Sequence, residues 1–457
     1  MRTMPSISGV HQHLRTFMIR AWRAERGAVA AIVALSMIPL MIGGGLAVDL
    51  SRAYLVKSRL SHALDAAGLA VGTMRTNSTS TTYLETQFQN FFNANYAAGE
   101  VGTPHDLIFV DNGGILTVSG KTTVNTVFMS IVGIDTITVS STAEIQVETK
   151  GLELVMVLDN TGSMSGSKLS SMKSASLDLI DIVFGGEATP DFVKVGLVPF
   201  SGSVNIGSTN TAYVTDLTAF DWGTTSWEGC VEARAYPEDV RDSTPSLGGL
   251  WTPYYWADHN SYNNWIDGGS YSIDSSPPSN KGPNKYCPRA VTPLTNNRAL
   301  LESEINAQWA SGYTHINFGA AWGWRLISPG EPFTQGSAYG DPDWTKAVII
   351  LTDGENTTSD YVDTAYGYRW EGNLGSTSGS GTTAELNSRL TEVCTAMKNK
   401  DILVYTITFN VSSTTTQALF ENCATSSDKY FNSPDSTTLT QAFRAIGAEL
   451  KSLHLSK

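Results

Sequence analysis

Two acids and three hydroxyls stand where turns follow or precede apolar runs. Asp159, Thr161 and Ser163 take alternate positions directly after the run LELVMVL, which starts at Leu152. On a short turn, alternation can aim three such oxygens at one point. A second segment, GYTHIN at 312–317, places Thr314 just ahead of a helical stretch. A third, TDGE at 352–355, places Asp353 just after the run at 347–351. All five candidate side chains offer oxygen; none offers nitrogen or sulfur. That donor set suits a hard cation, Mg2+ first, with Mn2+ and Ca2+ also suited. The competing assignment makes Asp159 and Ser163 helix N-capping groups and Asp353 an ordinary loop acid.

The elements needed to position these residues are legible. Residues 152–159 read as a strand buried on both faces. Helices are predicted at 168–184, 298–309 and 384–400, with a short one near 416–423 and a last one from 438. Strands are predicted at 193–200, 347–351 and 402–409. This alternation predicts an α/β unit with a doubly wound, Rossmann-like parallel sheet. Ligands of such sheets bind beyond the C-terminal strand ends, at the switch point. The Gly/Ser/Thr run at 375–383 reads as a flexible loop near that edge. His315 is the one histidine in a candidate loop, and its ring is expected to point away from the cation.

Strand 193–200 should turn into an antiparallel edge strand, which 290–295 resembles. Residues 201–289 are then a long insertion, holding five of the 11 Trp of the chain. Either it packs on itself or it presents a specificity surface, since Trp and Tyr are favoured at interface hot spots. The four cysteines are Cys230, Cys287, Cys394 and Cys423, with no C-x-x-C pair, which argues against zinc and thioredoxin-like chemistry. In an exported domain they should form two disulfides. Of the three pairings, Cys230–Cys287 would close the insertion, and Cys394–Cys423 would bridge the elements around strand 402–409; this pairing is preferred. No H-E-x-x-H, P-loop, G-x-S-x-G or kinase loop is present, so a non-enzyme is expected.

The chain has 457 residues, 41% hydrophobic and 16% charged, which excludes a charge-rich disordered protein. Its net charge of −13 gives no general affinity for nucleic acid. The charge is unevenly placed. Residues 1–26 carry five Arg against one Glu, and everything after them is acidic. Residues 27–48 contain no charge at all. As a helix they would span roughly 33 Å, enough for a ~30 Å hydrocarbon core. A cleaved signal peptide is the alternative, but the segment is long for one and the helix continues beyond it. The Arg-rich flank predicts a cytoplasmic N-terminal segment at 1–26, a single-pass span at 27–48, and the remainder outside.

Leu46, Leu50, Ala53, Val56, Leu60, Ala63, Ala67 and Ala70 form a narrow apolar seam at helical spacing. Asp49, Arg52, Lys57, Arg59 and Asp65 lie off it. The seam packs either on the chain's own exported part or on a partner helix. Residues 76–82 read as a loop, 84–97 as a helix, and 107–147 as alternating strands with turns at 111–114 and 133–135. Residues 49–150 thus make a small α+β unit in which no cluster of catalytic residue types occurs.

Three stretches, VMVLDNTGSMSGSK, SGYTHINFGAAWGWRL and KAVIILTDGEN, resemble the three loops of a von Willebrand factor A domain, here placed at 151–457. The resemblance implies a metal-ion-dependent adhesion site. Its first motif is Asp-x-Ser-x-Ser, and Thr161 replaces the first Ser while keeping the hydroxyl. By that resemblance Thr161 and Ser163 contact the metal, Thr314 contacts it directly or through water, and Asp159 and Asp353 act largely through water. A partner's carboxylate would complete the coordination.

Residues 25–72 are similar to the anchor of TadE/TadG-like proteins of bacterial tight-adherence (Flp) pilus systems. The anchor together with the A domain, SWEGCVEAR, AWGWRLISP and AFRAIGAEL resembles the TadG type. The fifth residue after Gly27 is Ile32 and not the Glu of prepilins, so an uncleaved anchor is expected. The resemblance implies an inner-membrane protein with a periplasmic C-terminal domain. Its partners would be proteins of the pilus assembly or secretion machinery. The alternatives are a regulatory or chelatase-like module of an enzyme complex, and a surface adhesin.

Overall fold

The computed structural model describes residues 25–455, except 76–79, 97–100, 113–114, 147–149, 259–260 and 278–279. The expected cytoplasmic segment therefore lies almost wholly outside the described residues, as do most of the expected loop at 76–82 and half of the turn at 111–114. The chain divides into two compact units, Met1–Val147 and Glu148–Lys457.

The first unit begins with helix α1 (Glu25–Gly72). Its 48 residues extend ~72 Å, more than twice a hydrocarbon core. Among the described residues it is the one helix long and apolar enough to cross a membrane. Residues 29–44 are all exposed. The lower half packs on α2 (Thr81–Asn95) and an antiparallel meander of β1 (Thr103–Asp111), β2 (Ile115–Asn125) and β3 (Thr136–Gln146). Leu60, Leu64, Ala67 and Val71 meet Phe88, Phe92, Leu116 and Val118 in its core. So Ala53 to Ala67 of the predicted seam are buried against the chain itself.

The upper seam is corrected. Leu46 and Leu50 are exposed, and the packed line runs through Gly45 and Asp49 instead. Asp49 is buried, not off the seam. Its carboxylate accepts the backbone N–H groups of Val127, Phe128 and Met129 at 2.8–2.9 Å. Burial works against its charge, but those donors and Arg52 outweigh burial and hold its pKa below the ordinary carboxylate value. Gly45 allows the turn to approach: a Cβ there would lie 2.5 Å from Phe128 Cβ.

The second unit is built on β4 (Gly151–Asp159), β5 (Val193–Phe200), β6 (Val204–Asn205), β7 (Cys230–Val231), β8 (Thr292–Thr295), β9 (Trp344–Thr352), β10 (Leu403–Phe409) and β11 (Tyr430–Ser433). The sheet order is β11-β10-β9-β4-β5-β6-β7, with β8 antiparallel to β5. Without the two short insertion strands, this is the third, second, first, fourth, fifth and sixth strand of a doubly wound sheet. The edge strand β8 is where the sequence placed it, whereas β11 was not foreseen.

Alternate residues of each strand face opposite cores. Leu154, Met156 and Leu158 meet α3 (Ser167–Phe184), α4 (Arg298–Asn306) and α8 (Ser436–Leu455). Val155 and Val157 meet α5 (Ile316–Ile327), α6 (Gly379–Lys398) and α7 (Thr414–Cys423). Helix α6 starts at Gly379, capped by Ser378, so the expected loop at 375–383 ends earlier: the Ser378 hydroxyl accepts from Gly381 N–H and nucleates the helix despite its glycines.

All twelve residues of α5 are buried. The sheet covers one side, and α6 and the insertion cover the rest. Trp251 lies 4.8 Å from Trp322, centroid to centroid, with the Arg234 guanidinium over its ring at 4.4 Å. Trp227, Trp251, Trp256 and Trp265 are buried and Trp222 is half-buried, and Trp227 and Trp251 share one core with α5 and the sheet, so these rings of the insertion serve packing.

Both preferred disulfides are present, Cys230–Cys287 and Cys394–Cys423. The second joins α6 to α7 across a separation of 29 residues. Replacing Cys394 and Cys423 by Ser should lower unfolding stability by about 2–4 kcal/mol, through the freed entropy of the unfolded loop. Denaturant unfolding of the oxidised and double-Ser chains tests this, and coincident midpoints would contradict it.

Candidate functional site

Strands β4 and β9 are parallel neighbours, with Leu158 beside Leu351. From Leu154 and from Ala347 both run apolar to their last turn, then deliver polar groups at the same edge. Asp159 ends β4 and is fully buried. Its Oδ1 accepts from Thr161 N–H at 2.9 Å, and its Oδ2 from the Thr352 hydroxyl at 2.7 Å. The Thr161 and Ser163 hydroxyls are 3.0 Å apart. Ser163, exposed at the mouth, donates to Asp353 Oδ1 at 2.5 Å. Four of the five candidates thus form one connected oxygen cluster at the switch point of the sheet.

Thr314 joins through its loop. Gly162 N–H donates to Gly312 O at 3.0 Å, and Ser311 N–H to Asn160 O at 2.8 Å. Asn160 also reaches Trp309 O with its amide. Gly312 sits at φ +83°, where a side chain would be strained and would press on Tyr286. Thr314 is buried, and its N–H donates to the Thr357 hydroxyl at 3.1 Å. Among the described residues no hydrogen bond links its own hydroxyl to the other four. His315 is fully buried, its ring stacked on Tyr366. Burial lowers its pKa to about 4.

The capping assignment meets no support at α3. That helix starts after Gly166, and no side chain caps it. Three participants escaped the sequence reading. Lys168, in the first turn of α3, places its ammonium 2.6 Å from Asp353 Oδ2. Thr352 holds Asp159, and Asn356 accepts the Ile316 N–H at 2.8 Å, capping α5. Thr352 and Asn356 sit within the third quoted motif, but nothing in their order along the chain reveals whom they meet.

The donor set fits a hard cation in kind: two carboxylates and three hydroxyls from three loops, with one hydroxyl exposed. Among the described residues no group of three or more His, Cys, Asp or Glu could hold a metal, so any cation here depends on the hydroxyls. The Lys168 ammonium places a positive charge beside Asp353. Burial, and then the proximity of Asp353, push the Asp159 carboxyl up to about 6.

Residues 27–74 match a family model described as "Putative Flp pilus-assembly TadE/G-like". The chain carries a TadE/G-like segment at its N-terminal end. No curated protein matches the chain. Solved structures with a similar chain path include the von Willebrand factor domain of the type V pili tip protein Mfa5 from Porphyromonas gingivalis. It shows 12% identity and a TM-score of 0.38, covering 68% of this chain and 97% of that one. The pilus adhesin SpaC from Lactobacillus rhamnosus GG shows 12% identity and 0.37, covering 76% and 34%. Proximal thread matrix protein 1 from the mussel byssus, with a zinc-occupied MIDAS motif, shows 12% and 0.32, covering 67% and 47%. The chain thus spans nearly all of the first and less than half of the other two. The second unit is A-domain-like by its sheet order and its three loops.

The ionisation of Asp159 has a testable sign. Its folded pKa of about 6 lies above the unfolded value, so the folded chain binds the extra proton between roughly pH 4 and 6. The stability this contributes is present below pH 4 and is lost as pH rises through 6. Asp159→Asn does not titrate. Without divalent metal, it should gain on the order of 1 kcal/mol relative to wild type between pH 5 and pH 7. Denaturant unfolding in chelator at both pH values measures it, and parallel pH responses would refute the shifted ionisation.

Proposed function

We propose that the chain is a membrane-anchored component of a Flp-type pilus assembly system that binds protein partners through a metal-dependent site on its A-domain-like unit. The observation that carries this is the oxygen cluster of Asp159, Thr161, Ser163 and Asp353 at the switch point, in a chain whose anchor segment is TadE/G-like. A bound divalent cation would supply an electrophilic centre for a partner's carboxylate. Thr161 and Ser163 would hold it by their hydroxyls. Thr314, carried on a buried loop, would face it from the second motif. Asp159 and Asp353 would balance its charge, with Lys168 released from Asp353 as it enters.

A binding role is favoured because the cluster offers only oxygen donors, in a chain whose anchor segment is TadE/G-like. Helix α1 would cross the inner membrane once, with residues 1–26 cytoplasmic and the second unit periplasmic, in keeping with the Arg-rich flank and the two disulfides. A reporter active only in the periplasm, fused after Lys457, should be active. Activity of a cytoplasmic reporter alone would reverse the orientation.

Binding of Mg2+ should stabilise the second unit by RT ln(1 + [L]/Kd), on the order of 1–3 kcal/mol at saturating metal. Asp159→Ala and Asp353→Ala should abolish the gain and any metal-dependent partner capture. The fold should survive, because the strands behind these acids are apolar. Thermal melts of the full chain in detergent, with Mg2+ and with chelator, decide the matter. Identical wild-type melts in the two buffers, with partner capture indifferent to metal, would refute the metal-dependent reading.

A further inference from the structure

The turn after β2 is an oddity of the first unit. Residues 122–134 carry no charge. Val127, Phe128, Ile131, Val132 and Ile134 are all exposed, Ile131 at 77%. A surface turn is ordinarily polar, and a contiguous exposed apolar patch marks a contact. Within the first unit this patch has a fixed position. Asp49 takes the N–H groups of Val127, Phe128 and Met129, and Asp49 is the first charge after the apolar stretch of α1. Phe128 lies against Gly45, one helical turn further into that stretch. The patch is therefore held level with the last apolar turn of the helix, and its exposed side chains continue the exposed apolar surface of residues 29–44.

We propose that the turn at 127–134 dips into the bilayer surface beside α1, as a second, interfacial membrane contact that seats the first unit on the lipid. This rests on the reading of α1 as a membrane anchor. Three features agree with it. The apolar side chains would leave water for the headgroup–acyl boundary, where interfacial segments bury ~5–10 Å. The backbone donors at 127–129 are already satisfied by Asp49, so entering a region poor in water leaves them paired. The carboxylate in turn is not left bare at the hydrocarbon edge, where an unpaired charge is unfavourable. The occupant is lipid, because the patch is continuous with the lipid-facing side of the helix.

All four native cysteines are disulfide-bonded, so one introduced Cys gives one free thiol. Three single-Cys chains are labelled with an environment-sensitive fluorophore and reconstituted in phosphatidylcholine–phosphatidylglycerol vesicles. These are Ile131→Cys in the turn, Leu35→Cys in the apolar helix, and Leu247→Cys on the second unit, all at exposed positions. Nitroxides sit near the headgroup end or near the methyl end of the lipid chains. The label at 131 should be quenched about two-fold more by the shallow nitroxide than by the deep one, as expected at the interface. The label at 35 should be quenched by the deep one, and the label at 247 by neither. If 35 is quenched and 131 is not, the interfacial contact is wrong and the anchor stands. If neither is quenched, the anchor reading fails and the interfacial contact fails with it. A blue-shifted label at 131 that no lipid nitroxide quenches would show that protein, a second copy or a partner, covers the turn, and would overturn the proposal.

Discussion

The parallel registration of β4 beside β9 is the constraint on which the second unit depends. From Leu154 and Ala347 to their ends both strands are apolar and buried on both faces; the one charge pair buried between them, Glu153 and Lys346, lies at the opposite end. Because these stretches end at the same level, with Leu158 beside Leu351, the polar residues that follow them meet. Asp159 comes within reach of the Thr352 hydroxyl, and Ser163 within reach of Asp353. The cluster follows from where two apolar strands run out. The same burial raises the Asp159 carboxyl to about 6, so one geometric fact sets both the composition and the acidity of the edge.

The insertion belongs to the same economy of burial. Helix α5 delivers the Thr314 loop to the edge and is buried all round, its two polar side chains, Asn317 and Arg325, paired with Tyr366 and with carbonyls of the insertion. Indole rings and guanidinium groups provide the cover, with Arg234 stacked on Trp251. Tyr286 lies where a side chain at position 312 would press on it, and the Ser201 carbonyl accepts the His315 N–H, so the insertion also backs the loop that carries Thr314. Its aromatic content serves packing first. The ring faces left outside are chiefly tyrosines, among them Tyr262, stacked on Tyr361 from the loop after β9.

The first unit turns on a different charge. Asp49 is satisfied entirely by its own chain, which fixes the turn at 127–129 on α1 and selects Gly45 over Leu46 as the packed position. A helix of this length has two surroundings. Residues 29–44 are exposed, and its lower half is covered by a three-stranded sheet.

By itself the sequence determined most of the second unit. Its apolar runs and helical periods are set by local burial, so the order of strands and helices, the edge strand after the insertion and the three loops were readable. Both disulfides were expected as well, one closing the insertion and the other bridging the elements around strand 402–409. The apolar helix and its continuation were equally plain, because 22 uncharged residues leave few alternatives. Tertiary structure alone decided the rest. Lys168 on Asp353, Thr352 on Asp159 and Asn356 beneath α5 join residues distant in the chain or with no distinguishing spacing. Asp49 looked like a solvent-facing charge because helical periodicity weighs side chains and not the backbone donors that a later turn brings 78 positions on. A charge is placed by its partners, and partners far along the chain leave no periodic mark in the sequence.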